Sequence, residues 1–115
     1  MPGKPLRGEI WMVDLAPTTG HEQGGKRPCL VLSDDVFNQG PAELVVLAPL
    51  TSRDRQIPLR LAIDPPEGGL TMRSFVMPEM IRSVSVHRLS HRLGSIRPDS
   101  MSAVETRIRV LLSLE

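Results

Sequence analysis

The sequence is poor in aromatic residues, which make up 3% of its 115 residues, and it contains no tyrosine. Trp11, Phe37 and Phe75 are too few to build the extended stacking platform of a general single-strand-binding protein. The single cysteine, Cys29, excludes an internal disulfide, and its place in the apolar run 29–32 predicts a small buried hydrophobic residue. This use of cysteine fits a reducing, cytoplasmic location best.

Long hydrophobic runs are missing as well. No stretch approaches the roughly 20 apolar residues that a membrane helix needs, so we predict no membrane association. Residues 1–7 are not followed by the apolar core of a signal peptide and are predicted to form a flexible tail. Residues 8–115 are then expected to form a single domain, since a chain of this size has room for one hydrophobic core.

The net charge of +1 does not by itself indicate a polyanionic partner, but the charges are unevenly distributed. Residues 1–52 contain four basic and six acidic residues, whereas residues 53–97 contain eight arginines, no lysine and four acidic residues. Arginine pairs bidentately with phosphate and stacks on bases, so the second region suits a nucleic-acid surface. The alternative is that these arginines occupy ordinary solvated positions on strands and loops.

Prolines and glycines divide the first 98 residues into short segments, a pattern typical of strands joined by turns. Apolar runs of four to eight residues, rich in Val, Ile and Leu, favour strands at 8–15, 29–32, 44–50, 57–63, 74–77 and 81–86. At the end of the chain, apolar residues recur at helical spacing, and Pro98 and Asp99 suit the start of a helix. The sequence therefore predicts a mainly β fold closed by a C-terminal α-helix at about 98–114.

Three polar segments could carry chemistry. The first is the long loop 17–28, which has three glycines and contains His21, Glu22, Gln23, Lys26 and Arg27. Loops of this length are commonly functional or flexible, and the glycines allow the backbone to approach a ligand closely. A phosphate-binding loop of the nucleoside triphosphatase type is disfavoured because the spacing of its motif is absent.

The second segment follows a predicted strand and contains Thr51, Ser52 and Arg53, which can bind phosphate or simply end the strand. The third contains Glu79 and Arg82, for which an exposed ion pair is the alternative to substrate binding. His87 and His91 have a spacing that suits a metal only on a helix with further ligands, and neighbouring arginines oppose a cation. We therefore predict no metal site and no cofactor.

Taken together, these segments resemble the MazF/PemK toxin family over nearly the whole chain, 8–114. The matching stretches are GEIWMVDL (8–15), EQGGKRP (22–28) with LVLS (30–33), APLTSR (48–53), IRSV (81–84) and RLG (92–94). This resemblance implies a small SH3-like β-barrel of the CcdB/MazF type with a C-terminal helix, usually assembled as a homodimer. It further implies a type II toxin that cleaves single-stranded RNA, mRNA above all, at short motifs and that is inhibited by a cognate antitoxin protein.

Carried over residue by residue, the resemblance assigns catalytic roles to Arg27, Thr51 and Glu22. It implies metal-independent transesterification by the ribose 2′-OH, with Arg27 and Thr51 stabilising the charge on the phosphate oxygens. Because arginine is almost always protonated, Glu22 or His21 is the expected general base. The remaining polar residues are expected to bind substrate, namely His21, Gln23, Lys26, Ser52, Arg53, Glu79 and Arg82.

Two positions depart from the family pattern. Met80 stands where glutamine is common, and Ser85 stands where many members have aspartate. We expect these changes to alter RNA contacts, and hence the cut motif, more than the chemistry. The alternatives to a nuclease are a non-catalytic toxin of the gyrase-poisoning CcdB kind and a small-barrel module that binds nucleic acid without cutting it.

Overall fold

A computed structural model describes residues 3–16 and 25–115 of the chain, which fold into a curled antiparallel sheet and a C-terminal helix. The strands are β1 (Glu9–Asp14), β2 (Lys26–Val31), β3 (Leu44–Thr51), β4 (Leu61–Ile63), β5 (Ser74–Val76), β6 (Arg82–Ser85) and β7 (Leu89–Ser95). The helices are the single turn α1 (Asp35–Asn38) and the long α2 (Pro98–Leu112), with short 3-10 turns at Glu67–Gly69, Pro78–Met80 and Val86–Arg88. The predicted mainly β fold with a C-terminal helix is confirmed.

Strand β3 is the centre of the sheet. The strand order is β4-β5-β3-β2-β1-β7, and β6 also pairs with β3. Because β3 is the longest strand, its first half pairs with β6 while its last residues, Leu50 and Thr51, pair with β5. The sheet thus curls around β3 into a half-barrel, and the end of β3 at Thr51 lies where several segments meet.

Both faces of the central strands are buried. Successive residues of one strand belong to different apolar clusters: Ile10 packs in the cluster that includes Met101 and Val104 of α2, whereas Trp11 packs in the cluster on the other face. Leu30 and Cys29 are divided in the same way. Burial on both sides explains why these strands read as continuous apolar runs and not as alternating ones.

The long helix α2 covers one face of the sheet. Met101 and Val104 are its buried residues and lie one turn apart, so a single stripe of the helix contacts the sheet. Pro98 occupies the first turn, as expected from the sequence, and Arg97 provides no side-chain cap. The helix ends at Ser113, which adopts a left-handed conformation with a φ of 58°.

Three elements differ from the sequence-based expectation. Strand β2 begins at Lys26, earlier than the apolar run, because β1 pairs with it as far as Asp14↔Lys26. Of the run 57–63, only Leu61–Ile63 forms a strand, since Pro58 cannot donate a hydrogen bond and Leu59 has a φ of 76°. Strand β7 is largely exposed, so no apolar run marks it in the sequence.

The segment preceding β1 contacts the sheet. Of residues 1–7, expected to form a tail, Pro5 is buried and Arg7 forms an ion pair with Glu105 of α2. Glu9 accepts hydrogen bonds from the Trp11 indole (3.0 Å), the Leu6 amide (2.7 Å) and Arg92 (2.7 Å). Burial alone would raise the pKa of Glu9, but these hydrogen bonds outweigh it and lower the pKa below its ordinary value.

Candidate functional site

A cleft of about 380 Å³ opens at the end of β3 and brings together residues that are distant in sequence. Its polar lining consists of Arg27, Thr51, Ser52 and Arg53, together with Thr71 and Ser74. Its apolar lining consists of Met12, Pro28, Leu50, Leu70, Met72 and Leu93. Four of the residues predicted from sequence to act on RNA, Arg27, Thr51, Ser52 and Arg53, therefore line a single cavity.

The pairing of neighbouring strands explains why Arg27 and Thr51 meet. The two strands are antiparallel, and Cys29 on β2 lies opposite Pro49 on β3. Arg27, two residues before Cys29, is therefore level with Thr51, two residues after Pro49. The Arg27 guanidinium donates through Nη1 to the carbonyl oxygen of Leu50, 3.2 Å away. This bond fixes a half-buried cation in the cleft that Thr51 also lines.

A local hydrogen bond shapes the chain as it leaves β3. The Thr51 hydroxyl oxygen accepts from the backbone N–H of Arg53 at 3.2 Å, a turn that ends the strand and leaves Ser52 and Arg53 exposed at the rim of the cleft. A hydroxyl that accepts a hydrogen bond retains its own proton for donation. The cleft therefore combines a hydroxyl donor with two guanidinium groups, which is a suitable set for binding an anion such as a phosphate.

Other predicted site residues lie apart from this cleft. Lys26 is exposed at the start of β2, and neither Glu79 nor Arg82 lines the cavity. Glu79 is instead paired with Arg60: Oε2 of Glu79 accepts from Nε of Arg60 at 2.7 Å and lies 2.6 Å from Nη2. The remaining three, His21, Glu22 and Gln23, lie outside the described residues.

The Arg60–Glu79 ion pair was not foreseen from the sequence. The Arg60 side chain is only 8% exposed and that of Glu79 is 26% exposed, so the pair is largely removed from water. It ties the end of the segment 52–60, which begins at the cleft, to the 3-10 turn Pro78–Met80. From the sequence, an exposed ion pair between Glu79 and Arg82 was the alternative to substrate binding. This ion pair does not form in the described part of the chain, where Glu79 Oε1 and Arg82 Nη1 are buried without a hydrogen-bond partner.

Arg88 is a second residue that sequence reasoning missed. Its Nη1 donates to the carbonyl oxygens of Asp14 (3.2 Å) and Ala16, at the point where β1 leads into 17–24. On the return side, the Leu15 amide donates to the Gly25 carbonyl at 2.9 Å. Nothing in the spacing of Arg88 signals this role, because its acceptors are backbone atoms more than 70 positions away.

The two departures from the family pattern have local roles. Ser85 caps the turn Val86–Arg88, because its hydroxyl oxygen accepts from the His87 amide at 3.2 Å. Met80 is half-buried and does not line the cleft. Neither residue belongs to the lining of the cavity that Arg27 and Thr51 share.

The buried thiol of Cys29 does not contribute a nucleophile at neutral pH. Its side chain is fully buried, as the apolar run predicted. Burial raises the pKa of Cys29 to about 12, although the nearby charges of Arg27 and Arg82 act in the opposite direction. Because only a thiolate is strongly nucleophilic, Cys29 packs as a small hydrophobic residue.

Within the described ranges, no group of three His, Cys, Asp or Glu side chains is placed to hold a metal ion. The same part of the chain has no helix that is both long and apolar enough to cross a membrane. The fold and cleft together define a small half-barrel protein with a cleft at the end of its central strand that is lined by two guanidinium groups and a hydroxyl group.

Comparison with known proteins identifies the family. The profile described as "PemK-like, MazF-like toxin of type II toxin-antitoxin system" matches residues 6–112. The chain belongs to this family of toxins.

Individual relatives agree with the family over nearly the full length. The chain is 29% identical to "Endoribonuclease EndoA" of Bacillus subtilis over 109 residues, which is 94% of each protein. It is similar to the crystal structure of MazF from Deinococcus radiodurans, with a TM-score of 0.86, 29% identity and coverage of 96% and 98% of the two chains. It also resembles an endoribonuclease in complex with its cognate antitoxin from a mycobacterial species, with a TM-score of 0.76, 27% identity and coverage of 96% and 95%.

Proposed function

We propose that this toxin is a sequence-specific endoribonuclease that cleaves single-stranded RNA, mRNA above all, in the cytoplasm. The observation that carries this proposal is the meeting of Arg27 and Thr51 at one cleft, on neighbouring strands, beside Arg53. A guanidinium and a hydroxyl so placed can hold the two non-bridging oxygens of a phosphodiester. The names of relatives that match along the whole chain, which are endoribonucleases, support the same function.

The proposed reaction is a transesterification within the RNA. The 2′ oxygen of one ribose forms a bond to the adjacent phosphorus, and the bond from phosphorus to the 5′ oxygen of the next nucleotide breaks. The 2′-OH proton passes to a general base, and the departing 5′ oxygen takes up a proton. The products are a 2′,3′-cyclic phosphate and a 5′-OH end, and no metal takes part in these steps.

Each described residue has a distinct part in this proposal. Arg27 and Thr51 stabilise the negative charge that grows on the non-bridging oxygens in the transition state. Arg53 and Ser52, exposed at the rim, bind neighbouring phosphates of the strand. Glu22 or His21 remains the proposed base, because arginine is effectively always protonated.

The decisive experiment is cleavage of a long single-stranded RNA in EDTA, followed by sequencing of the new 5′ ends. We expect discrete cuts by the wild type and a loss of about 10²- to 10³-fold in rate for Arg27→Ala and for Thr51→Ala. Arg109→Ala and Thr106→Ala are matched controls, since both residues are exposed on α2 outside the cleft, and both variants should cut normally.

A folded wild type that bound RNA and left it intact would overturn the proposal. That result would favour the non-catalytic module or the CcdB kind of toxin. A wild type that cut only after addition of a divalent metal would retain the nuclease and refute the metal-independent mechanism. Equal loss of activity in the α2 controls would show that truncation, and not the cleft, is responsible.

We further propose that the toxin is a homodimer and that an antitoxin protein covers the cleft. Exposed apolar side chains gather towards the end of α2, with Val110 63%, Leu112 49% and Leu114 57% exposed, and such a patch favours self-association. Light scattering of the wild type and of Leu112→Glu tests the dimer.

An acidic antitoxin segment would complement Arg27 and Arg53. Protection of RNA by the co-expressed antitoxin tests this partner.

A further inference from the structure

The apolar lining of the cleft has an unusual member in Met72. This residue is 61% exposed, whereas Met77 is fully buried and Met101 is 8% exposed in the core. Met72 nevertheless faces a cavity that is shared with the phosphate-binding candidates Arg27 and Thr51. An exposed thioether in this position is not explained by packing of the core.

The backbone around Met72 is held in place on both sides. Two residues earlier, Leu70 is buried in the core that contacts α2. Two residues later, Ser74 is buried at the start of β5, and its hydroxyl donates to the Met72 carbonyl at 3.0 Å. The Met72 side chain therefore extends from a fixed backbone and presents an apolar surface at a defined place.

Several strands contribute side chains to the lining of the cleft. Thr51 ends β3 and Arg27 lies on the adjacent β2, whereas Met12 and Leu93 come from β1 and β7 at the other edge. The segment that carries Met72 connects these two groups: it follows Gly69, which packs against the backbone of Leu93, and it leads into β5, which pairs with Thr51. A nucleotide whose phosphate is bound by Arg27 and Thr51 would direct its base towards the apolar part.

The chemistry of this surface matches the face of a nucleobase. Single-stranded RNA is read by bases that are splayed out and packed against protein side chains, most often aromatic ones. The chain has only three aromatic residues, and none of them lines the cleft. A flexible, polarizable thioether packs well against an aromatic ring and can replace an aromatic side chain here.

We propose that Met72, together with Met12 and Leu93 of the same cleft, forms a nucleobase subsite next to the scissile phosphate. This inference rests on the proposed nuclease function and assigns a specificity role that is separate from catalysis. Met72 packs on the face of one base adjacent to the cut and helps to set the position of the RNA. It makes no contribution to the chemical step.

The test measures KM and kcat on a short fluorogenic RNA that contains the cut motif. Met72→Ala should raise KM about five- to tenfold and leave kcat within about twofold, because the lost contact binds substrate and transition state equally. Met72→Leu should stay near the wild type, and Met72→Phe should lower KM by stacking. Val36→Ala, which truncates an 80% exposed hydrophobic residue outside the cleft, is the matched control.

Substrates with a single abasic nucleotide identify the partner of Met72. At one position beside the cut, removal of the base should weaken wild-type binding and abolish the difference between the wild type and Met72→Ala. An unchanged KM for Met72→Ala, or a difference that persists on every abasic substrate, would overturn the subsite.

The outcomes also separate the subsite from the nuclease proposal. If the wild type cuts RNA and Met72→Ala has the same KM and kcat, the subsite is refuted and the nuclease proposal stands. If the wild type binds RNA without cutting, the nuclease proposal fails, and the dissociation constants of the same variants for 2′-deoxy-substituted RNA still decide the subsite. Equal dissociation constants would overturn it.

Discussion

Replacement of Arg60 by methionine tests how much the buried ion pair contributes to the domain. The variant keeps most of the apolar volume of the side chain but leaves the Glu79 carboxylate without its cationic partner. Breaking a fully buried pair costs about 3–5 kcal/mol, because one charge remains unpaired in a poorly solvated place. Since Glu79 is 26% exposed, water recovers part of this loss, and we expect a free energy of unfolding lower by about 2–3 kcal/mol.

The assay is urea unfolding followed by the fluorescence of Trp11, the single tryptophan, which is 3% exposed. All variants are compared at one protein concentration, because dimerisation would add to the apparent stability. Glu79→Met should be destabilised as well, and the double variant Arg60→Met/Glu79→Met should recover most of the loss as a well-packed apolar pair. The coupling energy from this double-mutant cycle should therefore be at least about 2 kcal/mol.

A coupling energy below about 0.5 kcal/mol would refute this reasoning, since it would mean that the two side chains act independently. Cleavage provides a second readout. Arg60 ends the segment that carries Ser52 and Arg53, so its loss should raise KM for RNA in molecules that are still folded. A destabilised variant with an unchanged KM would restrict the pair to a structural role.

Two further predictions concern the core. At pH 8 a pKa of about 12 leaves about one Cys29 in 10⁴ as thiolate, so a thiol reagent should label the native protein only as fast as it unfolds, and rapid stoichiometric labelling would contradict this. Gly94→Ala should destabilise the domain by about 1–3 kcal/mol in the same urea assay, because the added Cβ would lie 2.6 Å from backbone atoms of Gly68 and Gly69. An unchanged urea midpoint would show that β7 and the turn at 67–69 separate easily.

Sequence reasoning was strongest where burial leaves a pattern. Strands β1 and β3 are apolar on both faces, and α2 has helical spacing with Pro98 in its first turn, so all three were predicted with nearly the observed bounds. Strand β7 is mostly exposed and carries no such pattern, so it was not predicted. The first half of 57–63 looked like a strand because its apolar residues alternate, but Leu59 adopts a left-handed backbone there.

The site was predictable only in part, for a related reason. Arg27 and Thr51 were found because the family resemblance names both positions, and the strand register then explains their proximity. Met72 and Leu93 read as ordinary apolar residues, since their place in a cleft depends on chain segments that are far apart in sequence. Arg60 and Arg88 were missed because tertiary structure determines their partners, and these partners cannot be predicted from residue spacing.

The closure of the chain at either end of 17–24 has a consequence for evolution and for engineering. Arg88 holds the outgoing backbone at Asp14, and the Leu15–Gly25 hydrogen bond fixes the return, so the sheet itself brings the two ends together. Doubling the length of a loop costs only about 0.6 kcal/mol when its ends are already joined in this way. A longer segment can therefore be inserted between Ala16 and Gly25 at little cost to the stability of the half-barrel, provided that Arg88 is kept.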